Sequence, residues 1–374
     1  MKILVDALGV DSFESGLAGY SLNILKSLAC IENIWLTIIC NSRGSKKVLE
    51  AVGDGHSLEV IDASVMGIKR EKYYLLNARR ISKGHDLYHC LSSYLPFFPP
   101  PLPLCVTLHD MKYVQCKEFM GGARSWVVKS YIKNTIKRST HIVAVSLSTK
   151  HDAVMYGATP SKCSVIYEGP CISPIEGKVG LRTLNLPEKY LLFVGENRPH
   201  KNIRRLIEAF DEVSKVDPSY SLIIAGKDTG KILLSRTNAN ILLLGPVSND
   251  ELYELYERST LFVFPTLYEG FGLPIIEAMS FGVPVITSFV TSTREVGGEA
   301  ALFVDPYDVD DLKNKILAIL SDDEMYDQRV RISKKYAASF IWSEIALEYR
   351  QLYERVVFDE EKMAGVPRKI DSSF

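Results

Sequence analysis

The sequence predicts an α/β protein made of two doubly wound, Rossmann-like domains that face each other across a central cleft. Strand-like apolar runs alternate with helical patterns along its whole length, the mark of parallel sheets covered by helices. Its 374 residues leave room for two domains of roughly 150 residues each. A stretch with Pro170, Pro174, Gly177, Gly180 and Pro187 separates two series of strands and reads as a linker.

In the first series the expected strands are 2–5, 35–40, 104–108 and 141–145, with a last run at 165–167. The second series follows at 190–194, 221–225, 241–244, 261–264 and 283–287. These divide the chain into an N-terminal domain, 1–173, and a C-terminal domain, 186–340. A helical pattern with Leu347, Tyr349, Leu352 and Tyr353 occupies about 341–360, and the tail 362–374 reads as disordered. Carboxyl ends of the strands would line the cleft. Pro96–Pro103 (PFFPPPLP) reads as a rigid apolar loop, with contact to an acceptor as the other possibility.

Apolar residues at 47% and charged residues at 24% are ordinary globular composition. A net charge of −1 gives no reason to expect nucleic acid as a partner. The charge is uneven, however. Residues 1–175 carry 20 Lys and Arg against 14 Asp and Glu, a surplus of six, while the remainder is acidic. Any acidic surface would meet the N-terminal half first. Seven scattered cysteines without a CxxC spacing point to free thiols in a reducing compartment, and away from zinc. MKILVDAL at the start is strand-like and too short for a secretory signal, and no run approaches ~18 apolar residues. The expectation is a cytoplasmic protein.

Phe262–Glu277, FVFPTLYEGFGLPIIE, carries the most chemistry. It reads as strand, glycine loop, helix, with Pro274 suited to the first helical turn, where its missing N–H costs nothing. Free amides and the helix dipole at such a start favour an anion. Gly270 and Gly272 would let a ligand approach the main chain closely. Glu269 and Glu277 flank the loop, and ionised carboxylates accept hydrogen bonds from hydroxyl groups. Phosphate plus polyhydroxyl describes a sugar nucleotide. Taken singly, these glycines and glutamates are equally ordinary turn and helix-start residues.

The complete run EGFGLPIIE resembles the E-x7-E signature of retaining glycosyltransferases of the GT-B fold, the group called glycosyltransferases group 1 (family 4). The resemblance extends over nearly the whole chain. FVGENRPHKN at 193–202 is similar to the family's second signature, with Gly195, Lys201 and Asn202 in place. The family's usual arginine has no clear counterpart, and Arg198 stands nearest. Arg198 and Lys201 would clamp a diphosphate, one through its planar fork and the other as a point charge. SGLAGY at 15–20 resembles the glycine loop before a helix expected near Ser21, which would bring Gly16 and Gly19 to the donor. His109-Asp110 resembles the family's His-Asp pair, and His109 would contact the transferred sugar. Ser146 and Thr291-Ser292-Thr293 match cleft-facing positions, whereas Glu168-Gly169-Pro170 stands where relatives have Asn-Gly-Val. Gly226 and Val247 match positions beside the nucleotide.

The resemblance implies a C-terminal helix that crosses back onto the first domain, and transfer of a hexose with retention. Among donors, GDP-mannose is the family guess; a glycan or polyprenyl-linked acceptor is implied. In the mechanistic reading Glu269 binds sugar hydroxyls, Glu277 the ribose diol, and Phe271, Gly272 and Leu273 offer amides to the diphosphate. No cofactor beyond the donor and no metal are expected. Asp308-Val309-Asp310 forms a DxD string, but its place before a helix suits N-capping. Lys129, Lys133 and Lys137 recur beside Trp126 and Tyr131, with Lys69, Arg70, Lys72, Arg79 and Arg80 in the same domain. These suit a solvated face or the inner surface of an anionic membrane. A sugar-nucleotide epimerase, a phosphorylase and a binding module without turnover are other readings of the same cleft. A glycosidase fits poorly, because glutamates eight residues apart on one helix lie ~12 Å apart along its axis.

Overall fold

In the computed structural model, residues 1–11, 15–115, 123–177, 182–232 and 240–365 are described. Among these residues thirteen strands form two parallel sheets. The first contains β1 (Lys2–Asp6), β2 (Trp35–Asn41), β3 (Ser57–Ile61), β4 (Leu87–Cys90), β5 (Leu104–Leu108), β6 (His141–Ala144) and β7 (Cys163–Val165), ordered β3-β2-β1-β4-β5-β6-β7. The second contains β8 (Tyr190–Val194), β9 (Ser221–Ala225), β10 (Ile241–Gly245), β11 (Leu261–Phe264), β12 (Val285–Ser288) and β13 (Leu302–Val304), ordered β10-β9-β8-β11-β12-β13. Both are doubly wound, so each has a switch point, between β1 and β4 and between β8 and β11. Crevices open there because the connections depart to opposite faces.

The strands are mostly apolar, since helices cover both faces of a parallel sheet. β4, β5 and β6 are buried at every position. The helix Ile203–Val216 shows the complementary pattern, burying Ile203, Leu206, Ala209, Phe210 and Val213 on one side. The terminal helix Trp342–Gly365 returns to the first domain, where Ile345, Ala346, Tyr349, Leu352, Tyr353 and Val356 join the core around Ile3, Val5, Tyr20 and Leu87. Buried polar contacts fix its register: Tyr349 and Tyr20 hydroxyls lie 2.7 Å apart, and the Tyr353 hydroxyl is 2.7 Å from His89 Nδ1.

Several expectations are corrected. The first helix begins at Gly16, not near Ser21, because Ser15 Oγ accepts from the Ala18 amide and caps it there. Gly16 and Gly19 therefore belong to a helical turn. The terminal helix reaches Gly365, so 362–365 are helical, while 366–374 lie outside the described residues. β3, β4 and β13 were not anticipated. They are short, and β3 is only half buried. Asp308 accepts from the amides of Asp310 and Asp311 as the N-cap of Val309–Leu320, as its position suggested.

Candidate functional site

The second sheet's switch point brings together Lys201 and Glu269, one charged residue from each of the two signatures. From β8 the chain passes through Gly195 into the 3-10 turn Pro199–Lys201. Gly195 and Gly226 cross at main-chain distance: a Cβ on Gly226, whose φ is +135°, would sit 2.2 Å from the Gly195 carbonyl oxygen. Asn202 closes the turn in the left-handed region at φ 58°. Its buried amide donates to the carbonyls of Pro265 (2.8 Å) and Pro306 (2.7 Å). Asn202 thus braces the loop, and the expectation that its side chain binds donor is revised.

That bracing aims Lys201 at Glu269. Lys201 Nζ donates to Glu269 Oε1 at 2.7 Å and stands 4.8 Å from the centre of the Phe264 ring. The two side chains are only 15% and 13% exposed, so this pair is far better shielded than a surface ion pair. Thr266 Oγ1 donates to the same Oε1 at 2.8 Å. Oε2 takes no hydrogen bond among the described residues and keeps its capacity to accept a hydroxyl.

After Glu269 the chain turns through Gly270, Phe271 and Gly272 into the helix Leu273–Ser280. Gly272, at φ 109°, supplies no side-chain cap. The amides of Gly270, Phe271, Gly272 and Leu273 find no acceptor among the described residues. Their carbonyls are held instead: Ser146 Oγ donates to Gly270 O (2.6 Å), Thr149 Oγ1 to the same oxygen (3.0 Å), and Ser292 Oγ to Phe271 O (2.8 Å). A turn with fixed carbonyls and free amides at a helix start is suited to a phosphate.

Both domains meet at this turn. A Cβ on Gly270 would lie 1.8 Å from the carbonyl oxygen of His109, and one on Gly16 would lie 3.5 Å from Leu273 Cδ1. Met111 N donates to the Tyr268 hydroxyl (3.1 Å), which donates to Asp152 (2.8 Å). Glu295 accepts from Leu147 N at 2.6 Å, at the start of the helix Leu147–Met155.

His109 follows β5 as expected, but both ring nitrogens are engaged. Nε2 lies 2.8 Å from the Leu91 carbonyl and Nδ1 3.0 Å from Glu168 Oε1. Burial disfavours the imidazolium, yet the Glu168 carboxylate, with Leu91 O and Asp110, outweighs it and raises the histidine above its ordinary range. Contact between a free ring nitrogen and sugar is therefore not what this arrangement provides. Glu168, seen in the sequence only as a departure from Asn, is the residue that sets this proton.

Glu277 lies on the buried side of its helix. Its Oε1 accepts from Cys171 N (3.2 Å) and its Oε2 from the Tyr256 hydroxyl (2.9 Å). Burial pushes its carboxyl up to about 7 despite those donors. A ribose diol would have to replace one of them. Gly19 faces the same segment, since a Cβ there would be 2.7 Å from Cys171 Sγ. Arg198 is half exposed and its side chain is paired with Glu196, two residues earlier, at 3.1 Å. Val247 sits half buried against the second core. Lys112, which sequence reasoning missed, pairs with Asp110 at 3.0 Å and feels the Glu269 charge. Its only signal was its place two residues after His109-Asp110. Among the described residues no group of three His, Cys, Asp or Glu is placed to hold a metal.

Similarity to known proteins agrees with this architecture. The family model Glycosyltransferase Family 4 matches residues 16–170, and Glycosyl transferases group 1 matches residues 182–336. O-antigen chain mannosyltransferase B of Escherichia coli is 29% identical over 95% of this chain and 100% of its own length. Serotype-specific mannosyltransferase WbdA, also of Escherichia coli, is 34% identical over 76% of this chain, which spans only 37% of that longer protein. The solved structure of Anabaena HepE with UDP-glucose superposes with a TM-score of 0.74 at 16% identity, covering 95% of this chain and all of that one. WaaG, a glycosyltransferase involved in lipopolysaccharide biosynthesis, superposes with a TM-score of 0.72 at 15% identity, covering 94% and 99%. Those likenesses establish the GT-B fold.

Proposed function

This chain belongs to the group 1 (family 4) glycosyltransferases, and from that premise we propose that it moves a hexose, with retention, from a nucleotide-diphosphate sugar to a glycan or lipid-linked glycan in polysaccharide synthesis. The observation that carries the reading is the shielded Lys201–Glu269 pair beside the free amides of 270–273, pressed against the His109 main chain of the other domain. One side of that turn suits a diphosphate and the other suits sugar hydroxyls.

In the reaction the bond from the anomeric carbon to the diphosphate oxygen breaks. The acceptor hydroxyl oxygen bonds to the same face of that carbon, and its proton passes to the leaving diphosphate. Lys201 and the amides of Phe271, Gly272 and Leu273 stabilise the departing charge, which preorganised donors do without reorganisation. Arg198 joins them only after leaving Glu196. Glu269 orients the sugar through hydroxyl hydrogen bonds. Glu277 is assigned to the ribose diol, in exchange for the Cys171 amide. The imidazolium of His109 adds positive charge to the cleft wall. No metal is required in this scheme: Asp308 is committed to its cap and Asp310 to Lys313 at 2.6 Å.

Mannosyltransferases among the relatives favour GDP-mannose as donor, while the HepE complex keeps UDP-glucose as the rival. No helix of the described residues is long and apolar enough to cross a membrane. The enzyme is proposed to work in the cytoplasm at the inner membrane face, where a polyprenyl-linked acceptor is presented. Thermal-shift screening of GDP-mannose, UDP-glucose and their nucleotides, followed by transfer assays with and without EDTA, tests the reading. Stabilisation by GDP-mannose and EDTA-resistant transfer are expected. Absence of stabilisation by any nucleotide sugar would reject it, and acceptor-free epimerisation of the donor would point to the epimerase.

A further inference from the structure

The turn that carries Glu269 is clasped by two helix starts, one from each domain. From the first domain, Ser146 and Thr149, at the opening of the helix Leu147–Met155, give their hydroxyls to the Gly270 carbonyl. From the second, the helix Thr291–Gly297 takes hold of both main-chain groups of Glu269. Thr291 Oγ1 accepts from the Glu269 amide at 3.1 Å. Ser292 Oγ donates to the Glu269 carbonyl at 3.0 Å and to the Phe271 carbonyl at 2.8 Å. Thr291 adopts φ 42°, a left-handed conformation that a β-branched residue keeps only when its surroundings enforce it.

Glu295 joins the two helix starts. The first amides of a helix have no acceptor within it. In Leu147–Met155 the Thr149 amide is taken by Ser146 Oγ at 2.9 Å, inside the first domain. The Leu147 and Ser148 amides are taken by Glu295 of the second domain, through Oε1 at 2.6 Å and Oε2 at 3.3 Å. One carboxylate thus spans two amides at the end of the helix dipole that favours negative charge. Among the described residues the first domain offers those two amides no acceptor of its own, so the cap is complete only when the domains are together.

Two tyrosines support the same helix. The Tyr167 hydroxyl approaches the Glu295 carboxylate, and its ring lies 6.0 Å from that of Phe271. The Tyr336 hydroxyl donates to the Glu295 carbonyl at 3.2 Å. Glu295 is half buried and Leu147 exposed, so water can replace each partner and the contact can open and close.

We propose that Glu295 is a positioning residue, which sets the Glu269 turn against the first domain by completing the cap of Leu147–Met155 and acts on that turn through Thr291 and Ser292. Its purpose rests on the proposed transfer reaction, but the contact is tested without it. Full-length Glu295→Ala and Leu147→Pro are compared with the wild type. Proline suits the first helical position, Ser146 before it is extended (φ −155°, ψ 161°), and the Leu147 side chain is 58% exposed. Leu147→Pro therefore deletes a donor and leaves Glu295 in place. Glu295→Ala should lower kcat by about 100-fold, as a misplacement of ~1 Å does, and Leu147→Pro by about tenfold. Dissociation constants for GDP and UDP should not change, whereas a general loss of structure would weaken them along with the melting temperature. The double variant should be no worse than Glu295→Ala, because both changes remove one contact. Hydrogen exchange across 268–273 should quicken in both single variants, and small-angle scattering should report a larger radius of gyration. Unchanged exchange and scattering in both, additive losses in the double variant, or nucleotide affinity that falls as far as kcat each overturn the proposal. If no donor is ever transferred while exchange and scattering change as described, the proposed function fails and the role of Glu295 in setting the turn stands.

Discussion

His109 Nδ1 stands 3.0 Å from Glu168 Oε1 while its Nε2 stands 2.8 Å from the Leu91 carbonyl. A carbonyl only accepts, so Nε2 carries a proton. Nδ1 can then donate to the carboxylate only if the ring is an imidazolium. The raised pKa of His109 expresses the same preference, with Glu168 overcoming the burial penalty. Tyr20 packs its edge on the ring at 4.7 Å, and Asp110 and His89 are the other charged or titratable groups that bear on it. Because the folded-state pKa lies above the unfolded value of about 6.5, the stabilisation is complete below that value and lost as pH rises through the folded pKa. Glu168→Gln should therefore flatten this part of the pH–stability curve and return the His109 NMR titration toward the ordinary value. An unchanged titration would show that Glu168 does not set the proton.

Lys201 and Glu269 should be inseparable in activity and separable in stability. Alanine at either position is expected to cut transfer at least ~100-fold, the scale of losing one preorganised charge contact. Lys201→Ala strands a shielded carboxylate and should destabilise by about 1–3 kcal/mol. The double variant should recover part of that loss, because no unpaired charge remains, yet stay inactive. Denaturant unfolding and transfer assays on all four proteins complete the cycle. Near-normal transfer in both single variants would reject the assignment.

Gly270 tests whether domain closure is required. The added methyl of Gly270→Ala would fall 1.8 Å from the His109 carbonyl oxygen, main chain against main chain, so the domains must separate to admit it. A displacement of about 1 Å at a reacting centre costs roughly 100-fold. Transfer should fall by that order, while nucleotide binding to the second domain persists and small-angle scattering reports a larger radius of gyration. Full activity would mean that catalysis does not need this closed contact.

Much of this site was legible in the sequence for a local reason. Lys201 and Glu269 sit in short segments following apolar strands, and a parallel sheet delivers such segments to one edge whatever the rest of the chain does. Which side chains pair with which was not legible. Arg198 is held by Glu196, and nothing in the spacing told that pairing from a free guanidinium beside Lys201. Glu168, Asn202 and Glu277 owe their roles to groups 59, 63 and 106 residues away in sequence, namely His109, Pro265 and Cys171. The first helix shows the smaller failure: a single serine cap moved its start from Ser21 to Gly16 and carried two glycines out of a loop.

Glu277 is held at a cost to the fold that its function would explain. Burial raises its carboxyl to about 7, against an ordinary value of 4.5. The sign is the reverse of a salt-bridged carboxylate: the fold is most stable below the unfolded pKa and loses stability as pH climbs toward and through 7. Glutamine keeps an acceptor for the Cys171 amide and offers a donor to the Tyr256 hydroxyl without a charge to desolvate. Glu277→Gln should thus be more stable than the wild type at pH 8, on the order of 1–3 kcal/mol, with the difference vanishing near pH 4. If the carboxylate reads the ribose diol, the same variant should bind donor at least tenfold more weakly at pH 8. Melting curves across pH, read beside donor titrations, separate the outcomes. A gain in stability with unchanged donor affinity would make Glu277 a tie for the interdomain segment alone, whereas opposite changes would identify a charge kept in the interior because the donor requires it.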